Sequence, residues 1–407
     1  MADVENTDAA SVQDPPIAAS TDADASSNDT PPSEEIEMNR IIEDIRSLCA
    51  RDDPLFTKKI VQGIMIPLLE MEMDAIIKDI RSMYASGVPL FTKKKIREVM
   101  FQLDEISEIN AEDDMFLVTG IDDTKVAVIP VTENPMVDNW EWKWHEQTLT
   151  RSNRALVIYQ PIQKLTDFSS GTRYFDARTA YLSLAACRRY NYVSSGVEDD
   201  AATCKFSVAK LEREFSDKKE EWEATHECNT LRTLVASNPG FSKARKVIGI
   251  ALGGLMYGER VEDRRTERSL AQYSLLLTMR ELIAKATGSD EIRCLAQDPE
   301  LTPAAVEALA NVGIAVVDDP DAFLELDDTS VLITMSPSIP VRQVVADIAR
   351  PVAIFWDEDP EDASAVEEFM LDPPSTRVDS MIQNEYVKLE LPQYKLFAPA
   401  VLYLRKM

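Results

Sequence analysis

The chain has 407 residues, of which 43 are Lys or Arg, 71 are Asp or Glu and two are His, so its formal net charge is −28. The length and the 45% hydrophobic content allow two or three domains and a sizeable core. The negative charge argues against a general nucleic-acid binder and against attraction to anionic membranes, because both depend on clustered Lys and Arg. Two His exclude a three-His metal site, and we expect no metal.

The five cysteines stand far apart and form no CxxC pair, which is unlike a zinc ribbon or a thioredoxin-like motif. An odd number of scattered cysteines in a long chain predicts reduced thiols. The acidic N-terminus lacks an apolar signal segment, and no run reaches the roughly 18 apolar residues of a membrane span. We therefore expect a cytoplasmic or nuclear protein that makes no membrane contact.

Residues 1–34 contain no Lys or Arg and are rich in Ala, Ser, Asp, Thr and Pro, which predicts a disordered acidic tail. An internal repeat follows, with the shared strings IIxDIRS and PLFTKK in Ile41–Lys59 and again in Ile76–Lys94. Each copy is typical of a helix, a turn and a second helix. Gly63 and Pro67 predict an interrupted second helix in the first copy, because proline inside a helix costs about 3 kcal/mol.

The middle of the chain has mixed patterns. Residues 114–131 predict a β-hairpin and residues 154–159 a further strand, whereas residues 176–190 and about 205–236 look helical. Trp140, Trp142 and Trp144 alternate, so in a strand they would share one face. An indole row of this kind covers a core more often than it stacks on bases, and the acidic charge further disfavours stacking on nucleic acid.

Short apolar runs then alternate with helical segments, at 246–252, 292–297, 314–319, 330–335 and 351–356. Continuous apolar runs between helices are typical of a parallel sheet that is buried on both faces. The sequence therefore predicts an α/β fold with a Rossmann-like parallel sheet core. Gly288 is expected to end one helix, Thr302 to cap the next with Pro303 behind it, and Ser338 to cap a third.

The predicted organisation has six parts. These are an acidic tail at 1–34, a duplicated helix-turn-helix segment at 35–110, a β-hairpin and helical lead-in region at 111–240, the Rossmann-like core at 241–358, an acidic linker at 359–380 and C-terminal edge strands at 381–407.

Ligands of such folds bind beyond the carboxyl ends of the strands, where the strand order reverses. The candidate ligand-binding residues at those ends are Gly249, Gly253, Gly254, Asp298, Asp318, Ser336, Ser338 and Asp357. The glycines read G-x-x-x-G-G, which is not the dinucleotide fingerprint, so a nicotinamide cofactor is unsupported. The same glycines are also explained by a chain that only has to turn. No catalytic set is identified.

A basic cluster follows the first apolar run. It consists of Arg260, Arg264, Arg265 and Arg268. These side chains are candidates for an anion clamp beside the first strand. The neighbouring acidic residues make a solvated, charge-balanced helix start the competing interpretation.

Several segments between residues 241 and 357 resemble the SRR1 family. They are VIGIALGG, AQYSLLLTMREL around Gln272, CLAQDPELTPAAVEAL, NVGIAVVDD and SVLITMSPSIPVRQVVADIARPVAIFWDE. The resemblance adds Gln272 to the candidate ligand-binding residues, and residues 89–99 look like fungal-type members. Many other members carry a Pro-His-Cys-like turn after the fourth strand, but Ser338 and Ile339 follow Pro337 here, so no metal or acid–base role is transferred to that turn.

The resemblance implies a cytoplasmic and nuclear regulator, linked to circadian timing and light signalling in plants and to haem-synthesis regulation in animals. We expect a regulator that binds protein partners and a small molecule or nucleotide. An enzyme that uses a nucleotide or S-adenosylmethionine in the strand-end crevice is the alternative, and a purely structural scaffold is the third interpretation. Neither a reaction nor a specific cofactor is predicted.

Deleting residues 35–69 should lower the melting temperature less than deleting residues 70–105, because only the second copy is free of helix-breaking residues. Thermal denaturation of the two deletion variants measures this difference. Equal melting temperatures would contradict the expectation.

Overall fold

The structure is a computed structural model. It describes residues 58–105, 115–128, 147–167, 179–194, 207–255, 264–358, 371–397 and 399–407. The chain divides into two compact units, Met1–Leu68 and Leu69–Met407. The predicted acidic tail, the first helix of the repeat, the three tryptophans, Arg260 and most of the acidic linker lie outside the described residues.

The first described elements are two helices from the repeat region. Helix α1 (Lys58–Ala85) continues through Gly63 and Pro67, so the expected interruption was wrong. A helix of 28 residues keeps many hydrogen bonds besides the one that a proline removes. Helix α2 (Lys93–Glu105) begins after Thr92, whose hydroxyl accepts a hydrogen bond from the Lys95 amide at 3.1 Å, as expected for a cap.

Two antiparallel strand pairs follow. Strands β1 (Phe116–Thr119) and β2 (Lys125–Val128) form the predicted hairpin. Strand β3 (Gln147–Tyr159) leads into helix α3 (Ile162–Thr166) and pairs with β4 (Leu184–Ser194). The helix predicted over 176–190 was therefore wrong. Its residues favour helix locally, but pairing with β3 decides for a strand.

The next segment covers one face of the central sheet. Helix α4 (Val208–Glu223) and helix α5 (His226–Ser237) replace the single helix predicted over 205–236. The break occurs because the Thr225 hydroxyl accepts a hydrogen bond from the Cys228 amide at 3.1 Å and caps a new helix. A short 3-10 helix (Pro239–Lys243) then leads to the sheet.

The elements up to the fifth parallel strand alternate strand and helix, as the sequence predicts. A helix over Thr376–Glu385 then follows where the end of the acidic linker and the first edge strand were predicted, so that part of the prediction was wrong. The strands are β5 (Lys246–Ile250), β6 (Arg293–Gln297), β7 (Ala315–Val316), β8 (Ser330–Ile333), β9 (Ala353–Asp357), β10 (Tyr386–Leu389) and β11 (Ala400–Arg405). The helices are α6 (Arg264–Thr287), α7 (Pro303–Asn311), α8 (Asp321–Glu325), α9 (Val341–Ile348) and α10 (Thr376–Glu385). Gly288 ends α6 with φ of 67°, and the Thr302 hydroxyl accepts from the Ala305 amide at the start of α7.

Within the described residues, seven strands form one sheet in the order β10-β11-β9-β8-β5-β6-β7. Strands β5 to β9 are parallel to one another, whereas β11 is antiparallel to β9 and β10 is antiparallel to β11. The five parallel strands thus have the doubly wound order 3-2-1-4-5. This confirms the Rossmann-like α/β core.

Both faces of this sheet are buried, because alternate residues of each strand join different apolar clusters. Val331 and Ile333 of β8 belong to the cluster with helices α4 to α7, whereas Leu332 belongs to the cluster with α2, α8, α9 and α10. The second cluster also includes buried residues of β1, β3 and β4. The elements that precede the core in sequence therefore complete its second face.

One carboxylate anchors that second cover. Asp347 of α9 accepts hydrogen bonds from the amides of Leu90 and Phe91 at 2.7 and 3.0 Å. Arg377 of α10 donates to Asp347 at 2.5 Å and also to the carbonyl oxygens of Tyr84 and Val88. The turn at Pro89–Phe91 in the second repeat copy, here called the PLF turn, is thereby fixed to α9 and α10, two helices that lie far away in sequence.

Replacing Asp347→Ala should lower the free energy of unfolding by on the order of 3 kcal/mol, because the change leaves two amides and Nη1 of Arg377 without their acceptor and removes the ion pair. Chemical denaturation of the purified protein measures the loss. Asp290→Ala, which removes an exposed carboxylate, is the control and should change stability by less than about 0.5 kcal/mol. Equal effects of the two substitutions would refute the anchoring role of Asp347.

Candidate functional site

The strand order reverses between β5 and β8, which places the expected crevice beyond the carboxyl ends of these strands. The loop after β5 has two residues in the left-handed region, Ala251 with φ of 56° and Gly253 with φ of 82°. The amide of Ala251 donates to the Gln297 carbonyl oxygen at 2.9 Å. These dihedral angles and this hydrogen bond give the loop a defined backbone shape at the end of β5.

Asp298 holds this loop from the tip of the neighbouring strand β6. Its Oδ2 accepts a hydrogen bond from the Gly253 amide at 2.6 Å, and its Oδ1 accepts one from the Glu300 amide at 2.9 Å. The hydroxyl of buried Tyr273, on α6, donates to the Gly253 carbonyl oxygen at 3.0 Å. The sequence named Gly253 and Asp298 separately, and the structure joins them by a direct bond.

The other two glycines of the motif, Gly249 and Gly254, lie so close to neighbouring residues that a side chain would clash. A Cβ at Gly249 would lie 2.5 Å from Leu252 Cδ1 and 3.3 Å from Leu276 Cδ2. A Cβ at Gly254 would lie 3.1 Å from the Glu300 carbonyl oxygen. Packing within the protein accounts for the absence of a side chain at both positions.

The opposite side of the reversal point is the turn after β8. Ser336 has φ of 50°, its amide donates to Asp357 Oδ2, and its hydroxyl accepts from Arg268 Nη2 at 3.1 Å. Burial raises the pKa of Asp357, and the bonds from Ser336 and the charges of Arg342 and Arg268 act in the opposite direction. One arginine of the basic cluster therefore spans from α6 to the β8 turn, whereas Arg264 and Arg265 are exposed.

Two further candidates lie elsewhere. Gln272 is buried within α6, with an exposed fraction of 4%. Ser338 is exposed and does not cap α9, because Pro340 occupies the N-cap position without a side-chain hydrogen bond. The capping prediction for Ser338 was wrong because the turn after Pro337 extends two residues further before the helix begins.

The two acidic residues after β7, Asp318 and Asp319, lie in different environments, which the sequence did not predict. Asp318, the named candidate, is exposed, whereas Asp319 enters a buried network. The carboxylate of Asp319 accepts from the Tyr159 hydroxyl at 3.0 Å, from Gln297 Nε2 at 2.8 Å and from the Val157 amide at 3.2 Å. Burial raises the pKa of Asp319 to about 6, although these three bonds lower it.

Other chemistry is limited in the described part of the chain. No group of three His, Cys, Asp or Glu side chains there is placed to hold a metal ion. Burial raises the pKa of the Cys294 thiol to about 12, so the thiol is protonated and a poor nucleophile at neutral pH. Among the same residues, no helix is both long and apolar enough to span a bilayer.

Comparison with protein families supports the resemblance that the sequence suggested. The family model of the SRR1 domain matches residues 229–358, which extend from helix α5 to the end of β9. These residues include the five parallel strands and every described candidate site residue. This region is therefore SRR1-like. A search of curated proteins gave no match.

Among solved structures, similar folds include methyltransferases of very low sequence identity. An O-methyltransferase family protein from Burkholderia thailandensis is 12% identical, with a TM-score of 0.25, over 44% of this chain and 55% of that chain. The N-methyltransferase NodS from Bradyrhizobium japonicum WM9 is 8% identical, with a TM-score of 0.25, over 45% and 98% of the two chains. A cofactor-bound protein from MTB is 13% identical, with a TM-score of 0.27, over 51% and 93%. The match thus spans about half the length of the first of these proteins.

Replacing Asp319→Asn should change the pH dependence of stability. The pKa of Asp319 is about 6 in the fold, against an ordinary value of 3.8. The folded protein therefore binds more protons than the unfolded chain between these values, and the contribution of Asp319 to the free energy of unfolding falls as the pH rises from about 4 to about 6. Asn does not titrate, so the stability of the variant relative to wild type should rise over this interval and stay level above it.

Chemical denaturation at a series of pH values measures this difference, which is expected to reach on the order of 3 kcal/mol. Ser338→Ala, at an exposed residue that does not titrate, is the control and should give a flat difference. A variant that loses stability relative to wild type as the pH rises would show that the Asp319 carboxylate is stabilised, not destabilised, by its site.

Proposed function

We propose that this SRR1-like protein is a regulator whose Rossmann-like core binds a small nucleoside-containing ligand beyond the carboxyl ends of β5 and β6. The observation that most directly supports this proposal is the hydrogen bond from the Gly253 amide to the Asp298 carboxylate. It fixes a loop of defined backbone shape, with Gly253 in the left-handed region, beside the point where the strand order reverses.

The position of Asp298 favours a nucleoside. In dinucleotide-binding sheets, an acidic side chain after the second strand accepts a hydrogen bond from a ribose hydroxyl. Asp298 follows the second parallel strand of this sheet, although 45 residues separate it from Gly253 because the long helix α6 lies between them. Its Oδ2 accepts from the Gly253 amide and its Oδ1 from the Glu300 amide, which holds the carboxylate at the end of the strand.

The chemistry of the described residues favours binding over catalysis. The three carboxylates Asp298, Asp319 and Asp357 all accept hydrogen bonds from backbone amides, which commits them to holding the loops in shape. The buried thiol of Cys294 has a raised pKa. The regulatory role, the protein partners and the cytoplasmic or nuclear location implied by the family resemblance belong to this proposal, and the acidic charge of the chain suits partners with basic surfaces.

A nucleotide- or S-adenosylmethionine-dependent enzyme is the second candidate function. The doubly wound strand order supports it, because enzymes of this architecture bind their cofactors at the same edge of the sheet. The two candidates share a ligand class and differ in whether the ligand is converted. Mass spectrometry of the ligand after incubation with the protein therefore separates them.

Adenosine, ATP and S-adenosylmethionine are suitable probes for thermal-shift and calorimetric titration of the full chain. At least one of them should raise the melting temperature. Asp298→Ala should weaken its binding by tenfold or more, because the variant loses both the carboxylate and the bond that shapes the loop. Asp318→Ala removes an exposed carboxylate after the third parallel strand and is the matched control, with unchanged binding expected.

Failure of all three probes to bind would refute the nucleoside-binding proposal. Binding that is equal in both variants would place the ligand elsewhere. Binding accompanied by conversion of the ligand would favour the enzyme.

A further inference from the structure

A cavity lies between the carboxyl ends of β8 and β9. Its volume is about 300 Å³. It is lined by Thr334, Ser336, Pro337, Arg342, Trp356, Asp357, Leu371 and Asp372. The turn after β8, the first turn of α9 and the chain before α10 thus surround it, on the other side of β8 from the loop that contains Gly253.

Two residues that line this cavity each have a buried side-chain oxygen with no hydrogen-bond partner among the described residues. The two atoms are the hydroxyl oxygen of Thr334, a residue with an exposed fraction of 0%, and Oδ1 of Asp357. Buried polar groups in native proteins are nearly always hydrogen-bonded, so an unpaired group calls for a specific explanation. The described part of the chain has one other such atom, the Tyr394 hydroxyl, so two of the three belong to residues that line the same cavity.

Among the charged side chains around the cavity, Asp357 is the one with an acceptor oxygen that has no hydrogen-bond partner in the described part of the chain. Arg342 is 3% exposed, and its backbone amide and Nε both bond to the Asp372 carboxylate. The Ser336 amide donates to Asp357 Oδ2, and the charges of Arg342 and Arg268 act on this carboxylate without a direct bond to Oδ1. A carboxylate oxygen accepts hydrogen bonds only, and a threonine hydroxyl both donates and accepts, so a bound group that satisfies both must donate.

The rest of the wall is apolar. The side chains of Pro337, Trp356 and Leu371 form it, and Trp356 is 3% exposed. A cavity of this volume is at the small end of the range for ligand pockets. An apolar body with one donor-bearing end fits such a wall, and a positive charge on that end complements the carboxylate of Asp357.

We propose that the cavity between β8 and β9 binds a small organic cation, with an amino or amidino group that donates to Asp357 Oδ1 and Thr334 Oγ1 and an apolar body against Pro337, Trp356 and Leu371. This site is separate from the loop held by Asp298. It does not depend on the nucleoside-binding proposal, since it uses other side chains.

Isothermal titration of the full chain with benzamidine tests this site. Benzoate, which has the same shape but only acceptors, is the matched control ligand. Benzamidine should bind and benzoate should not. Asp357→Asn should weaken benzamidine binding at least tenfold, whereas Glu358→Gln, at the exposed neighbouring carboxylate, should leave it unchanged.

Thr334→Val supplies an independent readout, because it removes a buried unpartnered hydroxyl at nearly constant volume. The variant should have a higher melting temperature without ligand than the wild type and should bind benzamidine several-fold more weakly. This combination distinguishes a ligand site from a packing position, and it does not require Asp357→Asn to fold.

The proposal is overturned if benzamidine does not bind. It is also overturned if benzoate binds as tightly, since Arg342 would then be the recognising group. Benzamidine binding that survives both Asp357→Asn and Thr334→Val refutes it as well. None of these results bears on nucleoside binding at Asp298.

Discussion

The central constraint on this fold is that a parallel sheet must be covered on both faces. Helices α4 to α7 cover one face, and they lie within or next to the core in sequence. The other face needs α2, β1, β3, β4 and α10, which come from outside the core. These segments lie far from the core in sequence, and they are held against it by apolar packing and by specific polar bonds, above all those of Asp347 with the amides of Leu90 and Phe91 and with Arg377.

Carboxylates also hold the loops and turns at the carboxyl edge of the sheet. Asp298 shapes the loop after β5, Asp319 joins β3 to the end of β6, and Asp357 holds the turn after β8. Burial makes ionisation costly at Asp319 and Asp357, and backbone amides offset part of that cost. The acidic groups of this edge are therefore structural first.

Much of the architecture follows from local sequence patterns. Five apolar runs between helical segments predict a parallel sheet, because only strands buried on both faces lack polar alternation. The hairpin at 114–131 and the caps at Thr92 and Thr302 follow from equally local chemistry. The candidate residues Gly253, Asp298, Ser336 and Asp357 were found because strand ends can be located from the sequence.

What the sequence by itself determined is thus the class of fold and the edge of the sheet where ligands are expected, since both depend on short-range periodicity. The tertiary structure decided which side chains meet. It turned 184–194 into a strand by pairing it with β3, it placed Asp319 in a hydrogen-bond network and left Asp318 exposed, and it placed Thr334 and Asp357 beside one cavity. These outcomes depend on contacts between residues far apart in the chain, and no local pattern specifies such contacts.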